Sequence, residues 1–419
     1  MALEIMEAKE RSFLSGFIPV SDLPLFDPPP PDEAWDWVKA EGRAYPRLSL
    51  ELWTSRQRQA ANLHEISYRA CYKPQLPRHF IERLTHPGDR VYDPFSGRGT
   101  TVIEAALLGR RVAANDVNPL SRMLAEPRLT PPDPMALAKR LQEIPTLVAM
   151  DGLDLTMFFH PETEAEIRGL RDWFLARAAS GQLDPLDTWI RMVATNRLTG
   201  HSPGFFSVYT LPPNQALTAE KQRQINDKRQ QVPPYRDTHK LILKKTKQLL
   251  KGLESAQRCN LAKAAEDAIF LSEDATETDA LGEGSVALTV TSPPFLDVVN
   301  YSADNWLRGW FNGLDANAIG RAISTPRTVA DWSDTMSGVF SELHRVTRTG
   351  GFVAFEVGEI RGGSVRLDEV VLPLGLRAGF KAHGILVNSQ AFTKTANIWG
   401  VSNNDKGTNS NRVVLLEKT

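Results

Sequence analysis

Thr291-Ser292-Pro293-Pro294-Phe295 packs a hydroxyl, stiff carbonyls and an aromatic face into five residues. A flat ring bearing an amine suits that set. The Ser292 hydroxyl and the Pro293 carbonyl accept from its two N–H bonds, and Phe295 stacks on its face. A ring amine is a poor nucleophile because its lone pair is delocalised, and two accepted hydrogen bonds favour a more pyramidal nitrogen. The bland alternative is a strand terminator: Val286–Val290 reads as a short buried parallel strand, and proline donates no ladder hydrogen bond to continue it. Even so, the elbow stands at the carboxyl end of that strand, where open α/β sheets bind ligands.

A second set is Asp93-Pro94-Phe95-Ser96-Gly97-Arg98-Gly99-Thr100-Thr101, between a strand over Arg90–Tyr92 and an apolar helix from Val102 to Leu108. The Gly-x-Gly turn lets backbone approach a ligand closely, and the helix start offers free N–H groups. The next strand, Arg111–Asn115, ends in Asp116, an acid suited to ribose hydroxyls roughly 20 residues past the turn. The third glycine of the dinucleotide fingerprint is missing, which disfavours a nicotinamide dehydrogenase.

Together the two motifs resemble the amino-group DNA methyltransferases that use S-adenosylmethionine, over residues 60–125 and 265–419. The resemblance implies an α/β fold: a Rossmann-like class I methyltransferase sheet with an inserted, largely helical target-recognition region. It makes Asp93, Phe95, Gly97, Gly99, Thr100 and Thr101 the cofactor loop, and Ser292, Pro293, Pro294 and Phe295 the catalytic motif. It also sets Asp274 on the cofactor's adenine amine, with Glu273 as the alternative, and Lys73 near its methionine end. Arg98 stands where a small residue is common, which leaves its contacts open. Members with Ser at the first catalytic position usually methylate N4 of cytosine, and those with Asp usually N6 of adenine. Ser292 favours cytosine, with adenine N6 and RNA cytosine as alternatives. A duplex base cannot reach such an elbow, so flipping is implied. The expected partners are double-stranded DNA and a cognate restriction endonuclease. A nucleic-acid-binding protein without catalysis is the rival from another class, opposed by the intact loop and elbow. Methylation of cytosine C5 would need a cysteine nucleophile, and neither Cys71 nor Cys259 follows a proline.

The order of motifs divides the chain into an arm (1–50), a first methyltransferase half (51–125), an inserted recognition region (126–261) and a second half (262–419). In the arm, Asp32-Glu33-Ala34-Trp35-Asp36-Trp37-Val38 reads as a capped helix start. His64 reads as a satisfied polar group rather than a catalyst. The net charge is −1, yet Arg197 to Arg258 holds 12 Lys/Arg against 4 Asp/Glu, a local +8 against −9 elsewhere. Such a local field steers a polyanion. Within it, Arg197–Thr210 reads as a loop reaching phosphates and bases, followed by the amides Asn214 and Gln215. Asp237–Leu253 reads as a basic amphipathic helix with Ile242, Leu249 and Leu253 on one face. Asn300 and Tyr301 are candidates for the base pocket. The two cysteines have no metal spacing, and no apolar stretch reaches membrane length. The expectation is a cytoplasmic protein with no metal and no membrane contact.

Overall fold

The computed structural model describes residues 25, 34–51, 60–68, 71–147, 152–210, 217–294, 305–323, 326, 328–360, 365–389 and 410–419. The strands in chain order are β1 (Trp35–Ala40), β2 (Arg43–Leu50), β3 (Arg90–Asp93), β4 (Arg111–Asn115), β5 (Ile269–Leu271), β6 (Val286–Thr291) and β7 (Thr347–Val357). A two-residue pair follows, β8 (Glu359–Ile360) and β9 (Val365–Arg366), then β10 (Lys381–Ser389) and β11 (Ser410–Glu417). Nine of them form one sheet in the order β1-β2-β10-β11-β7-β6-β3-β4-β5. Strands β7, β6, β3, β4 and β5 run parallel, and β11 is antiparallel to both β7 and β10. An antiparallel pair, β10 and β11, thus closes the sheet near the C-terminus. This is the Rossmann-like doubly wound sheet, in which the strand order reverses between β3 and β6.

Strand β6 is buried at every residue, as a central parallel strand covered on both faces must be. Its Leu288 and Val290 join one apolar cluster, while Val286 joins the other. The helices are α1 (Gln75–Leu84), α2 (Thr100–Leu107), α3 (Leu120–Ala125), α4 (Pro134–Glu143), α5 (Pro161–Ala179), α6 (Pro185–Arg197), α7 (Ala219–Arg229), α8 (Thr238–Leu250), α9 (Ser255–Ala265), α10 (Trp306–Asn312), α11 (Ala316–Ala322), α12 (Val329–Val346) and α13 (Leu367–Arg377). Helices α12 and α13 cover one sheet face. Helix α2 covers the other, and the helices inserted between β4 and β5 continue its core, since Phe158, Trp189 and Phe206 share a cluster with Leu288.

Two local expectations are corrected. Trp35–Ala40 is a strand, not a helix. It pairs with β2 across Glu41-Gly42, whose φ values of 47° and 74° make the left-handed two-residue turn that matches strand twist. This hairpin lengthens the sheet, because β2 pairs in parallel with β10. Second, Phe205, Phe206 and Val208 are buried, so most of Arg197–Thr210 is core rather than a reaching loop. Helix α8 keeps its expected face, with Ile242 and Leu249 fully buried and Lys240, Lys244 and Lys247 exposed. His64 is buried with its Nε2 2.6 Å from Glu104 Oε1, and burial holds its pKa down, as for a structural histidine. No helix among the described residues is long and apolar enough to cross a membrane. No group of three metal-ligating side chains occurs among them either.

Candidate active site

Strand β3 ends in Asp93, almost fully buried. Its carboxylate accepts from Phe95 N (3.2 Å), Tyr72 Oη (3.0 Å) and Thr291 Oγ1 (2.6 Å). Tyr72 Oη also meets Thr101 Oγ1 at 2.5 Å, and Thr101 Oγ1 donates to the Val290 carbonyl. The cofactor-loop motif and the residue just before Ser292 are thus tied by one buried polar network. Burial pushes Asp93 up to about 6 despite those donors.

The chain then turns through Gly97 (φ 51°) and Gly99 (φ 75°) into α2. A Cβ at Gly99 would lie 2.6 Å from Ala125 Cβ and 3.2 Å from Arg128 Nη2. Gly99→Ala should therefore lower unfolding stability by about 1–3 kcal/mol from the backbone alone, with the clash adding to it. Chemical denaturation reads this directly. Asp116, at the end of β4, accepts from Gly97 N (2.8 Å) and Asn118 N (2.9 Å), fixing the turn. Burial, the largest cause, pushes Asp116 up to about 6, with the nearby Asp93 charge adding to it.

A cleft of about 980 Å³, counting its open mouth, lies beyond the carboxyl ends of these strands. Phe95, Gly97, Asp116, Asp274 and Tyr68 line one part, and Ser292, Pro293 and Pro294 another. Trp332, Met336 and Val339 supply an apolar wall from α12, and Trp332 Nε1 donates to the Pro294 carbonyl at 3.2 Å. Asp274 is exposed and accepts from Thr276 N and Oγ1. Its loop is anchored because Asn115 exchanges two hydrogen bonds with the Glu273 backbone. The expected site residues divide accordingly. Phe95, Gly97, Asp116, Asp274, Ser292, Pro293 and Pro294 share the cleft. Asp93, Gly99, Thr100 and Thr101 build the turn from behind, and half-buried Lys73 is not in the wall. Phe295, Asn300, Tyr301, Asn214 and Gln215 lie outside the described residues. Arg98 turns away from the cleft, donating to Thr100 Oγ1 and the Ile66 carbonyl.

Two contributors were not singled out from sequence. The Tyr68 ring lies against Gly97, 3.5 Å from where a Cβ would be, and its Oη accepts from Asn118 Nδ2. Glu356, on β7 and 3% exposed, accepts from Asn411 Nδ2 (2.9 Å) and from the Ser292 hydroxyl. Burial raises the Glu356 pKa, and those two donors hold it down. With its proton given to Glu356, Ser292 Oγ keeps its lone pairs for a donor in the cleft.

Residues 28–121 match a family model described as DNA methylase, of the N6/N4 type. Two curated relatives agree: type II methyltransferase M.MvaI of Kocuria varians, 29% identical over 127 residues, and type II methyltransferase M.MjaII of Methanocaldococcus jannaschii, 31% identical over 98. Through this segment the chain is similar to the amino-group DNA methylases. The aligned stretches cover 30% and 23% of this chain but only 25% and 18% of those relatives, well under half their length. Among solved structures, TrmN from Thermus thermophilus is 15% identical with a TM-score of 0.31, over 85% of this chain and 52% of that one. The matched residues carry the hairpin, the Asp93 turn and Asp116, so the family likeness rests on the part of the cleft built by β3 and β4.

Proposed function

We propose that this chain moves a methyl group from S-adenosylmethionine to the exocyclic N4 of cytosine in double-stranded DNA, acting on a base turned out of the helix. The observation that carries the reading is Ser292 at the end of β6, its hydroxyl donated to buried Glu356, in the same cleft as Asp116 and Asp274. The donor set fits the cofactor. Two carboxylates, Asp116 and Asp274, suit ribose hydroxyls and an adenine amine. Phe95, Met336 and Val339 give apolar surface for a purine, and Gly97 lets backbone lie close to the ligand. When bound, S-adenosylmethionine supplies an electrophilic methyl group.

The chain's own residues prepare the amine. Ser292 Oγ and the Pro293 carbonyl accept its two N–H bonds and hold the nitrogen lone pair toward the cofactor side, the positioning that supplies roughly 7–11 kcal/mol in well-oriented model reactions. The proton that the methylated amine releases passes to Ser292 Oγ as the serine proton moves to Glu356. A raised carboxyl pKa suits that task. The type II names of the relatives support a modification role beside a cognate restriction endonuclease.

Labelled S-adenosylmethionine with unmethylated duplex DNA, followed by nucleoside mass analysis, tests the reading. N4-methylcytosine is expected. N6-methyladenine would replace the target base, and label in no DNA would remove the function. A pH series tests the cofactor side. The Asp116 carboxyl accepts from both ribose hydroxyls most strongly when ionised, so cofactor affinity should weaken as pH falls through about 6. Calorimetry should show that slope in the parent and not in Asp116→Asn.

A further inference from the structure

Arg197 closes α6, and Arg308 lies on α10, the first described helix after the elbow. Both are under one-tenth exposed. They flank a clamp between Asn196 and Ser67: Asn196 Nδ2 donates to the Ser67 carbonyl (2.9 Å) and Ser67 N to Asn196 Oδ1 (3.0 Å). Arg197 Nη2 bonds the same Oδ1 (3.1 Å), and Arg308 Nη2 the same carbonyl (3.3 Å). The Phe205 ring lies 4.0 Å beneath the Arg197 guanidinium. Neither arginine has a carboxylate within ion-pair distance among the described residues. The acid whose charge acts on Arg197, Glu65, pairs with Lys245 at 3.3 Å. Two like charges buried side by side are costly unless an anion joins them. Burial and the facing Arg308 hold Arg197 down at about 10, and burial lowers Arg308 too.

The place of the pair says which anion. Ser67, between the two arginines, precedes Tyr68, a wall of the cleft, yet neither arginine lines the cleft itself. A cofactor in the cleft is therefore screened from them, whereas a strand delivering its base past the Tyr68 wall would run over them. We propose that Arg197 and Arg308 form a phosphate site for the nucleic-acid strand that carries the target base. The idea rests on the reading of the chain as a DNA methyltransferase.

The test is the salt dependence of binding to a mixed-sequence duplex in the presence of S-adenosylhomocysteine, with separate calorimetry of S-adenosylhomocysteine alone. Losing one phosphate contact makes the log–log slope shallower by about 0.9, roughly a 3.5-fold difference between about 50 and about 200 mM salt. Arg308→Gln and Arg197→Gln should each show it, with cofactor affinity unchanged. If the glutamine variants fail to fold, Arg308→Lys decides. Retained slope with weaker affinity supports a phosphate contact that needs the guanidinium fork, and unchanged affinity overturns it. Folded glutamine variants with the parental slope overturn the proposal. So does a loss confined to S-adenosylhomocysteine affinity, which would make the anion the cofactor's carboxylate. A parent that binds no DNA would remove the methyltransferase reading as well, an outcome separable because it shows in the parent.

Discussion

Ser292→Ala should slow single-turnover methyl transfer by about 10²–10³-fold, or about 2.7–4 kcal/mol, while cofactor affinity stays unchanged. The alanine removes the one side-chain acceptor aimed at the amine, on which positive charge develops as the new bond forms. It also strands Glu356, which keeps only Asn411 as a donor among the described residues. The companion variant is Glu356→Gln. Its amide oxygen still accepts from Ser292, so the serine stays oriented, but it cannot take a proton. Its rate should fall by about 10²-fold or more, the range of a lost proton acceptor. If the two residues act as a unit, the double variant should be scarcely slower than Ser292→Ala alone. Additive losses would separate Glu356 from the reaction and leave it a structural acid. Rapid-quench assays with excess enzyme read the chemical step apart from product release.

Ser292 was legible in sequence and Glu356 was not, for a physical reason. Ser292 belongs to a run of five unusual neighbours that end an apolar strand. Glu356 acquires its meaning only through the pairing of β6 with β7, where Thr291 faces Phe355. A trace existed all the same: a lone acid inside Phe352-Val353-Ala354-Phe355-Glu356-Val357 is a charge that must be buried, and such charges need a partner. The parallel core strands were readable because each is a short apolar run ending in Gly, Pro or an acid. The first hairpin was hidden because Asp32-Glu33 imitates a helix cap, although Glu41-Gly42 between alternating residues marks a tight turn. The aromatic run at Phe205-Phe206 misled in the opposite direction. Its glycines and hydroxyls look like a loop, yet Phe206 sits in the apolar cluster that holds α5 and α6 residues and Phe205 is buried beneath Arg197. Arg197 and Arg308 could not be paired from sequence at all, since a clamp on Ser67 brings them together.

Asp93 carries the second large effect, and the choice of replacement decides its sign. Asp93→Ala leaves the buried hydroxyl of Thr291 without its acceptor, at about 1–3 kcal/mol, and leaves Tyr72 Oη only Thr101 among the described residues. It also releases the tie between the cofactor turn and the elbow, so both stability and methyl transfer should collapse together. Asp93→Asn keeps an oxygen for Thr291 and Phe95 N and can donate to Tyr72 Oη, which is free to turn its own proton toward Thr101. The parental pKa of about 6 in the folded state stands above the ordinary carboxylate value, so the folded chain binds a proton that the unfolded chain has released. That contribution to stability is fully present below about pH 4 and is lost as pH rises through about 6, amounting to about 3 kcal/mol by pH 7. Asparagine has no such term. The stability of Asp93→Asn relative to the parent should therefore improve by up to about 3 kcal/mol between about pH 4 and about pH 7. Taking the difference matters, because half-buried His79, held down at about 3 by burial, pulls the parental curve the other way on acidification. Urea unfolding of both proteins across that range reads the difference. A constant offset would mean that Asp93 titrates normally in the folded chain and that the network with Tyr72 and Thr291 already holds a full charge.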